Sequence, residues 1–186
     1  MQKIDFNGSI FKKKGFENEE DILIDSGVIL AYLNAYDSWH NTVTELFDNH
    51  IFNNVDNVLF LYVNPTIINE VTHLLTKPAI QYEKKHGVTL SDTDKESMLI
   101  STAAKLKQSI ENEIFLILDG NKASILKQLE VFNTLGAVDA VNASIANEFG
   151  ISFLTVDNKL VKNLFKVKNQ LSDIHNIYYT NHTYQT

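Results

Sequence analysis

Short apolar runs alternate with segments of helical period along this chain. Ile22–Ile24 is a brief apolar run that ends at Asp25-Ser26-Gly27. Val58-Leu59-Phe60-Leu61-Tyr62-Val63 is continuous and apolar, as expected for a strand covered on both faces. Ile114–Leu118, closed by a turn at Asp119-Gly120, and Ile151–Thr155 repeat the pattern. Ile177-Tyr178-Tyr179 adds a last candidate strand. Between these runs the period changes. Val28–Leu33 reads as helix, and Asp37-Ser38 can cap a helix that carries Val43, Leu46 and Phe47. Asn64-Pro65 opens a helix bearing Ile67, Ile68, Val71, Leu74 and Leu75. Lys77-Pro78 is expected to end it, with residues 79–91 a loop or partial helix. Ser91 to Asp94 can cap a helix reaching about Ile110. Helices over Ala123–Phe132, Val138–Phe149 (stopped by Gly150) and Lys159–Phe165 follow. This alternation predicts a three-layer α/β/α fold around a central parallel sheet. Residues 1–20 have little periodicity and read as an N-terminal extension, a short hairpin or a mobile arm. The domain proper then covers residues 21–186.

Composition narrows the class. The 186 residues, 44% of them apolar, suffice for one domain with a proper core. No apolar run is long enough to span a bilayer, and the N-terminus has no secretory apolar region. Without cysteine there is no disulfide framework and no thiolate metal site. A cytoplasmic protein with no membrane partner is expected. The net charge is −7 and every basic residue is Lys. That balance argues against broad, sequence-independent binding to nucleic acid, although a local Lys patch can still hold phosphates. Without Arg there are no bidentate phosphate forks.

Four carboxylates stand in one relation to the apolar segments. Asp25 ends the first run, and Asp157 closes the run Ile-Ser-Phe-Leu-Thr-Val-Asp. Glu70 lies at the margin of the apolar stripe of the helix after Asn64-Pro65, and Asp139 sits in the first turn of the helix Gly-Ala-Val-Asp-Ala. Each has an ordinary alternative. Asp25 and Asp157 could simply cap helices. Glu70 could pair with a Lys or be exposed, and Asp139 could be favourable charge at a helix start. Together, however, they fall at one predicted edge of one sheet, where ligands bind in such folds. Like charges gathered there repel unless a cation sits among them. Asn142, Ala143 and Ala146 share a helix face with Asp139. Lys159, Lys162 and Lys166 follow the last acid and could meet phosphates or form a solvated face. Trp39, Phe47 and Phe52 could line a groove for a partner helix or a dimer contact, or belong to the core.

Four strings carry a resemblance. They are Ile-Leu-Ile-Asp-Ser-Gly-Val-Ile-Leu-Ala-Tyr-Leu, Asn-Pro-Thr-Ile-Ile-Asn-Glu-Val, Leu-Gly-Ala-Val-Asp-Ala-Val-Asn-Ala-Ser-Ile-Ala-Asn-Glu-Phe-Gly and Phe-Leu-Thr-Val-Asp. In this order they resemble the PIN-domain ribonucleases, and within them most closely the VapC-like toxins of toxin–antitoxin pairs. The likeness covers about Asp21 to Phe165. It implies an endoribonuclease dependent on Mg²⁺ or Mn²⁺, with Asp25, Glu70, Asp139 and Asp157 as its acidic quartet. Thr155 matches the hydroxyl residue that accompanies the last Asp. Asp25 and Asp139 are expected to be the main metal ligands, with Glu70 and Asp157 binding directly or through water. Ser26, Asn142, Thr155, Lys159 and Lys162 are the expected supporting or substrate-binding residues. Products would carry 5′-phosphate and 3′-hydroxyl. RNA is the implied substrate, an antitoxin protein a partner, and a homodimer the expected assembly. An RNA-processing nuclease without antitoxin and a catalytically silent RNA- or protein-binding module are the alternatives. The chain departs from the family in its length, its long segment between Glu70 and Asp139, and its lack of Arg.

Overall fold

The computed structural model describes residues 1–53 and 57–180. Residues 181–186, included with the domain from the sequence, lie outside the described part. Six strands form one parallel sheet: β1 (Gln2–Asp5), β2 (Glu20–Ile24), β3 (Leu59–Val63), β4 (Leu116–Ile117), β5 (Ser152–Leu154) and β6 (Asn176–Tyr179). Their order is β1-β6-β5-β2-β3-β4, and every pairing is parallel. Helices connect them, giving the three-layer α/β/α architecture. Among the described residues no helix is long and apolar enough to cross a membrane.

The centre of the sheet sets the position of everything else. In β2, Ile22, Leu23 and Ile24 are completely buried, as are Phe153 and Leu154 of β5 beside it. A central parallel strand is covered by helices on both faces, so a short unbroken apolar run is stable only there. From β2 the chain moves outward through β3 to β4. It then returns to β5 on the other side of β2 and goes on to β6. The boundary between β2 and β5 is therefore the point where the winding reverses, and its strand ends open a crevice.

Four elements differ from the sequence reading. Residues 1–20 supply β1, which pairs with β6 from Gln2↔Asn176 to Asp5↔Tyr179. The same segment forms α1 (Ser9–Lys14) and buries Phe6, Phe11 and Phe16. It belongs to the sheet and core rather than to an arm. Its periodicity was faint because an edge strand is half exposed. Second, β3 is not sealed on both faces: Phe60 is 40% exposed and Tyr62 half-buried on one face, while Leu61 and Val63 are buried on the other. Third, Lys77-Pro78 opens a helix rather than closing one. The preceding helix α4 (Pro65–His73) has already ended, and α5 (Lys77–His86) begins with Pro in its first turn. Proline there lacks only an N–H that would have no partner anyway. The helix stops at Gly87, which has φ of 63°. Fourth, the helix α3 (His40–Phe47) starts later than its Asp37-Ser38 signal, although Trp39 N–H does donate to Asp37 Oδ1 at 2.8 Å.

The remaining helices are α2 (Ser26–Leu33), α6 (Asp92–Glu111), α7 (Lys122–Leu135), α8 (Ala137–Glu148) and α9 (Asn158–Lys166). In α8 the buried small residues Ala140, Ala143 and Ala146 let the helix approach α7, α4 and the sheet closely. Phe47 is fully buried and stacks on Tyr32 at 4.2 Å between ring centroids.

Candidate active site

Each acid of the quartet is delivered by a different element. Asp25 follows β2 and is the N-cap of α2, where it accepts from Ser26 N–H at 2.9 Å. Asp157 follows β5 and is the N-cap of α9. Its Oδ1 accepts from Lys159 N–H at 2.7 Å and Leu160 N–H at 3.0 Å. Asp139 lies in the first turn of α8, and Glu70 lies on α4. The ordinary roles available to Asp25 and Asp157 are thus filled. Yet all four acids line a single cleft of about 430 Å³ at the strand-end edge.

Thr155 joins two of them. Its hydroxyl donates to Asp25 Oδ2 at 2.6 Å and accepts from Asp157 N–H at 3.0 Å. Fully buried, it holds the Asp25 carboxylate in one orientation. The electrostatics follow from crowding. Burial pushes the Asp25 carboxyl up to about 7; Asp139 and Glu70 add repulsion, while Thr155 and Ser26 oppose the rise. Asp139 is raised to about 6 by burial and by the charges of Glu70 and Asp157, with Lys159 pulling the other way. Glu70 Oε2 is buried and has no hydrogen-bond partner. No ion pair to Glu70 occurs among the described residues, so the Lys-paired alternative for it is not realised.

These residues fit a hard divalent cation in their chemistry. The donors are all oxygens, they repel one another, and one buried oxygen is unpaired. Among the described residues no three His, Asp or Glu side chains are drawn into a finished ligand set.

The supporting residues divide. Ser26, Lys159 and Thr155 stand at or against the acids: Ser26 and Lys159 line the cleft, and Thr155 bonds to Asp25. Asn142 does not contact a carboxylate. It is buried one turn deeper in α8, where its Oδ1 accepts from Asn64 Nδ2 at 2.9 Å. Asn64 in turn caps α4 by accepting from Ile67 N–H, so Asn142 fixes the helix that carries Glu70. Lys162 is exposed on α9 and does not line the cleft. Asp37, Trp39, Lys77 and Gln81 line it without having been singled out as site residues from the sequence. The Asp37-Ser38 cap signal marked their neighbourhood. Trp39 is thus a wall of the cleft, while Phe52 is 42% exposed near Tyr32 and Phe47.

No known protein family matches the chain, and no curated protein does either. Among solved structures it is similar to the crystal structure of PAE2754 from Pyrobaculum aerophilum, at 17% sequence identity and a TM-score of 0.47. The match covers 82% of this chain and 96% of the other.

Proposed function

We propose that this chain is an endoribonuclease dependent on Mg²⁺ or Mn²⁺ that hydrolyses RNA phosphodiesters. One observation carries the reading. Asp25, Glu70, Asp139 and Asp157 come from four separate elements and line one cleft at the winding reversal of a parallel sheet. Burying repelling carboxylates costs stability, and a catalytic centre is the common reason to keep them. The order and context of the four strings resembling PIN ribonucleases support the same reading.

Asp25 and Asp139 are assigned as the main ligands, with Glu70 and Asp157 completing the set. A bound divalent cation would supply an activated water and stabilise charge on the scissile phosphate. The chain's own part is to aim and to hold. Thr155 Oγ1 fixes Asp25, and Ser26 N–H fixes the other oxygen of the same carboxylate. Asn142 and Asn64 fix the start of α4. Lys159, beside the acids, offers positive charge to a phosphate.

The test is cleavage of single-stranded RNA with Mg²⁺ or Mn²⁺, against EDTA, with Asp139→Asn alongside. Cleavage that needs the metal and is lost in the variant supports the reading. Cleavage indifferent to both contradicts it. A silent binding module would cut nothing with any metal. The toxin role rests on the resemblance alone, and its partner would be an antitoxin protein. Growth arrest on expression, relieved by Asp25→Ala, supports that role; active nuclease without arrest supports an RNA-processing enzyme.

A further inference from the structure

A second cleft of about 290 Å³ opens beside the acidic one. The two are continuous, since Asp37, Ser38 and Gln81 line both. Their linings differ in kind. The acidic cleft holds four carboxylates, whereas the second is walled by Tyr36, Tyr82, His86 and Lys85. The aromatic rings are held in place by one another. Tyr82 meets Tyr36 edge-on with centroids 5.0 Å apart at 73°, and meets His86 at 4.4 Å and 35°. Tyr82 packs against both rings yet is only half-buried where it lines the cleft, an aromatic surface of large polarisable area.

Positive charge runs along the same helix. Lys77 in the first turn of α5 lines the acidic cleft, and Lys85 near its end lines the second. Asp37 stands at the junction, where it accepts a hydrogen bond from Trp39 N–H and faces the positive charge of Lys77. A braced aromatic face beside spaced lysines is the arrangement that binds unpaired nucleic acid. Every base has a stacking face, and its backbone brings one negative charge per nucleotide. Within a duplex that face is covered by the neighbouring base pairs.

We propose that this second cleft is a nucleotide subsite of the cleavage site. It would stack one unpaired base of single-stranded RNA on Tyr82, with Lys85 and Lys77 holding the flanking phosphates. The strand then continues past Asp37 and Gln81 to place the adjacent phosphodiester among the four acids. This inference rests on the ribonuclease reading above and adds which residues take the nucleotide beside the scissile phosphodiester.

The test uses the full chain carrying Asp139→Asn, so that RNA is bound but not cut. The probe is a labelled RNA hexanucleotide followed by fluorescence anisotropy, with a fully paired RNA hairpin, its ends joined by a non-nucleotide linker, for comparison. Adding Tyr82→Ala should weaken hexanucleotide binding by about 5- to 150-fold, the range of one base–aromatic stack. Tyr82→Trp should restore it, and hairpin binding should not move. Lys85→Gln should reduce the salt slope of hexanucleotide binding by about one phosphate contact. Unchanged hexanucleotide affinity in Tyr82→Ala would overturn the subsite. So would an equal loss for hexanucleotide and hairpin. Cleavage by the unsubstituted chain judges the ribonuclease reading separately, so the subsite can fail while the nuclease stands. If the Asp139→Asn chain binds no hexanucleotide and the unsubstituted chain cuts no RNA, both fall.

Discussion

The two ends of β2 each carry a buried carboxylate, and the protein treats them in opposite ways. Glu20 opens the strand and is surrounded by donors. Ser152 Oγ and Tyr178 OH each donate at 2.6 Å, Asn176 Nδ2 at 3.0 Å and Glu17 N–H at 3.1 Å. These bonds tie β2 to β5 and β6 and hold the register across the sheet. Tyr178 registers the tie: burial and the hydrogen bond to Glu20 drive its pKa upward. At the other end, Asp25 has two donors, and its further neighbours Asp139 and Glu70 repel it. A carboxylate surrounded by donors serves the fold. One crowded by other carboxylates weakens the fold.

The comparison can be broken most sharply by catalysis. Asp25→Asn or Asp139→Asn should lower metal-dependent RNA cleavage by on the order of a thousandfold, the scale of several kcal/mol of lost transition-state stabilisation. Single-turnover cleavage measures it. Glu20→Ala should act on stability, costing about 3 kcal/mol because Tyr178, Ser152 and Asn176 lose their acceptor. Chemical denaturation measures that, and an undiminished midpoint would remove the structural role given to Glu20.

The third prediction concerns pH. Unfolded, Asp25 ionises at the ordinary 3.8; folded, it does so at about 7. Between these values the folded chain holds more protons than the unfolded one, so metal-free stability should fall as pH rises from about 4 to 7. Between pH 5 and pH 8 the loss is about 2.5 kcal/mol, measurable as denaturation midpoints at those two values. Asp139→Asn should remove part of that slope and stabilise the metal-free chain at pH 8 by about 1 kcal/mol, after allowance for solvent screening. A flat pH profile would mean that burial and the neighbouring acids do not hold the Asp25 carboxyl above its ordinary value. The smallest effect belongs to Thr155→Val. Its hydroxyl lowers the Asp25 pKa, so its loss should move the acid limb of the cleavage profile upward by about one pH unit.

Much of this was legible in the residues, for identifiable reasons. Asp25 directly follows β2 and Asp157 follows β5 after Thr155 and Val156, where the apolar runs mark the strand ends. The fold class followed from the same alternation. Asn142 was misplaced because a spacing of three from Asp139 fixes the helix face but not depth, and the next turn lies inside the protein against Asn64. Lys77-Pro78 was ambiguous because proline both ends one helix and suits the first turn of the next. The Glu20 network was invisible, since its partners lie more than a hundred residues away at Ser152, Asn176 and Tyr178. The same holds for Tyr82: a polar segment between two helices gave no sign that its aromatic ring would meet Tyr36.

Asp25, Glu70, Asp139 and Asp157, in contrast to Glu20, are proposed to form a divalent-cation site. Calorimetric titration of Mn²⁺ into the chain at pH 7.5 tests it most directly. Saturable binding that survives Glu20→Gln and disappears in Asp139→Asn is the predicted result. The absence of binding, or binding unaffected by Asp139→Asn, would contradict it.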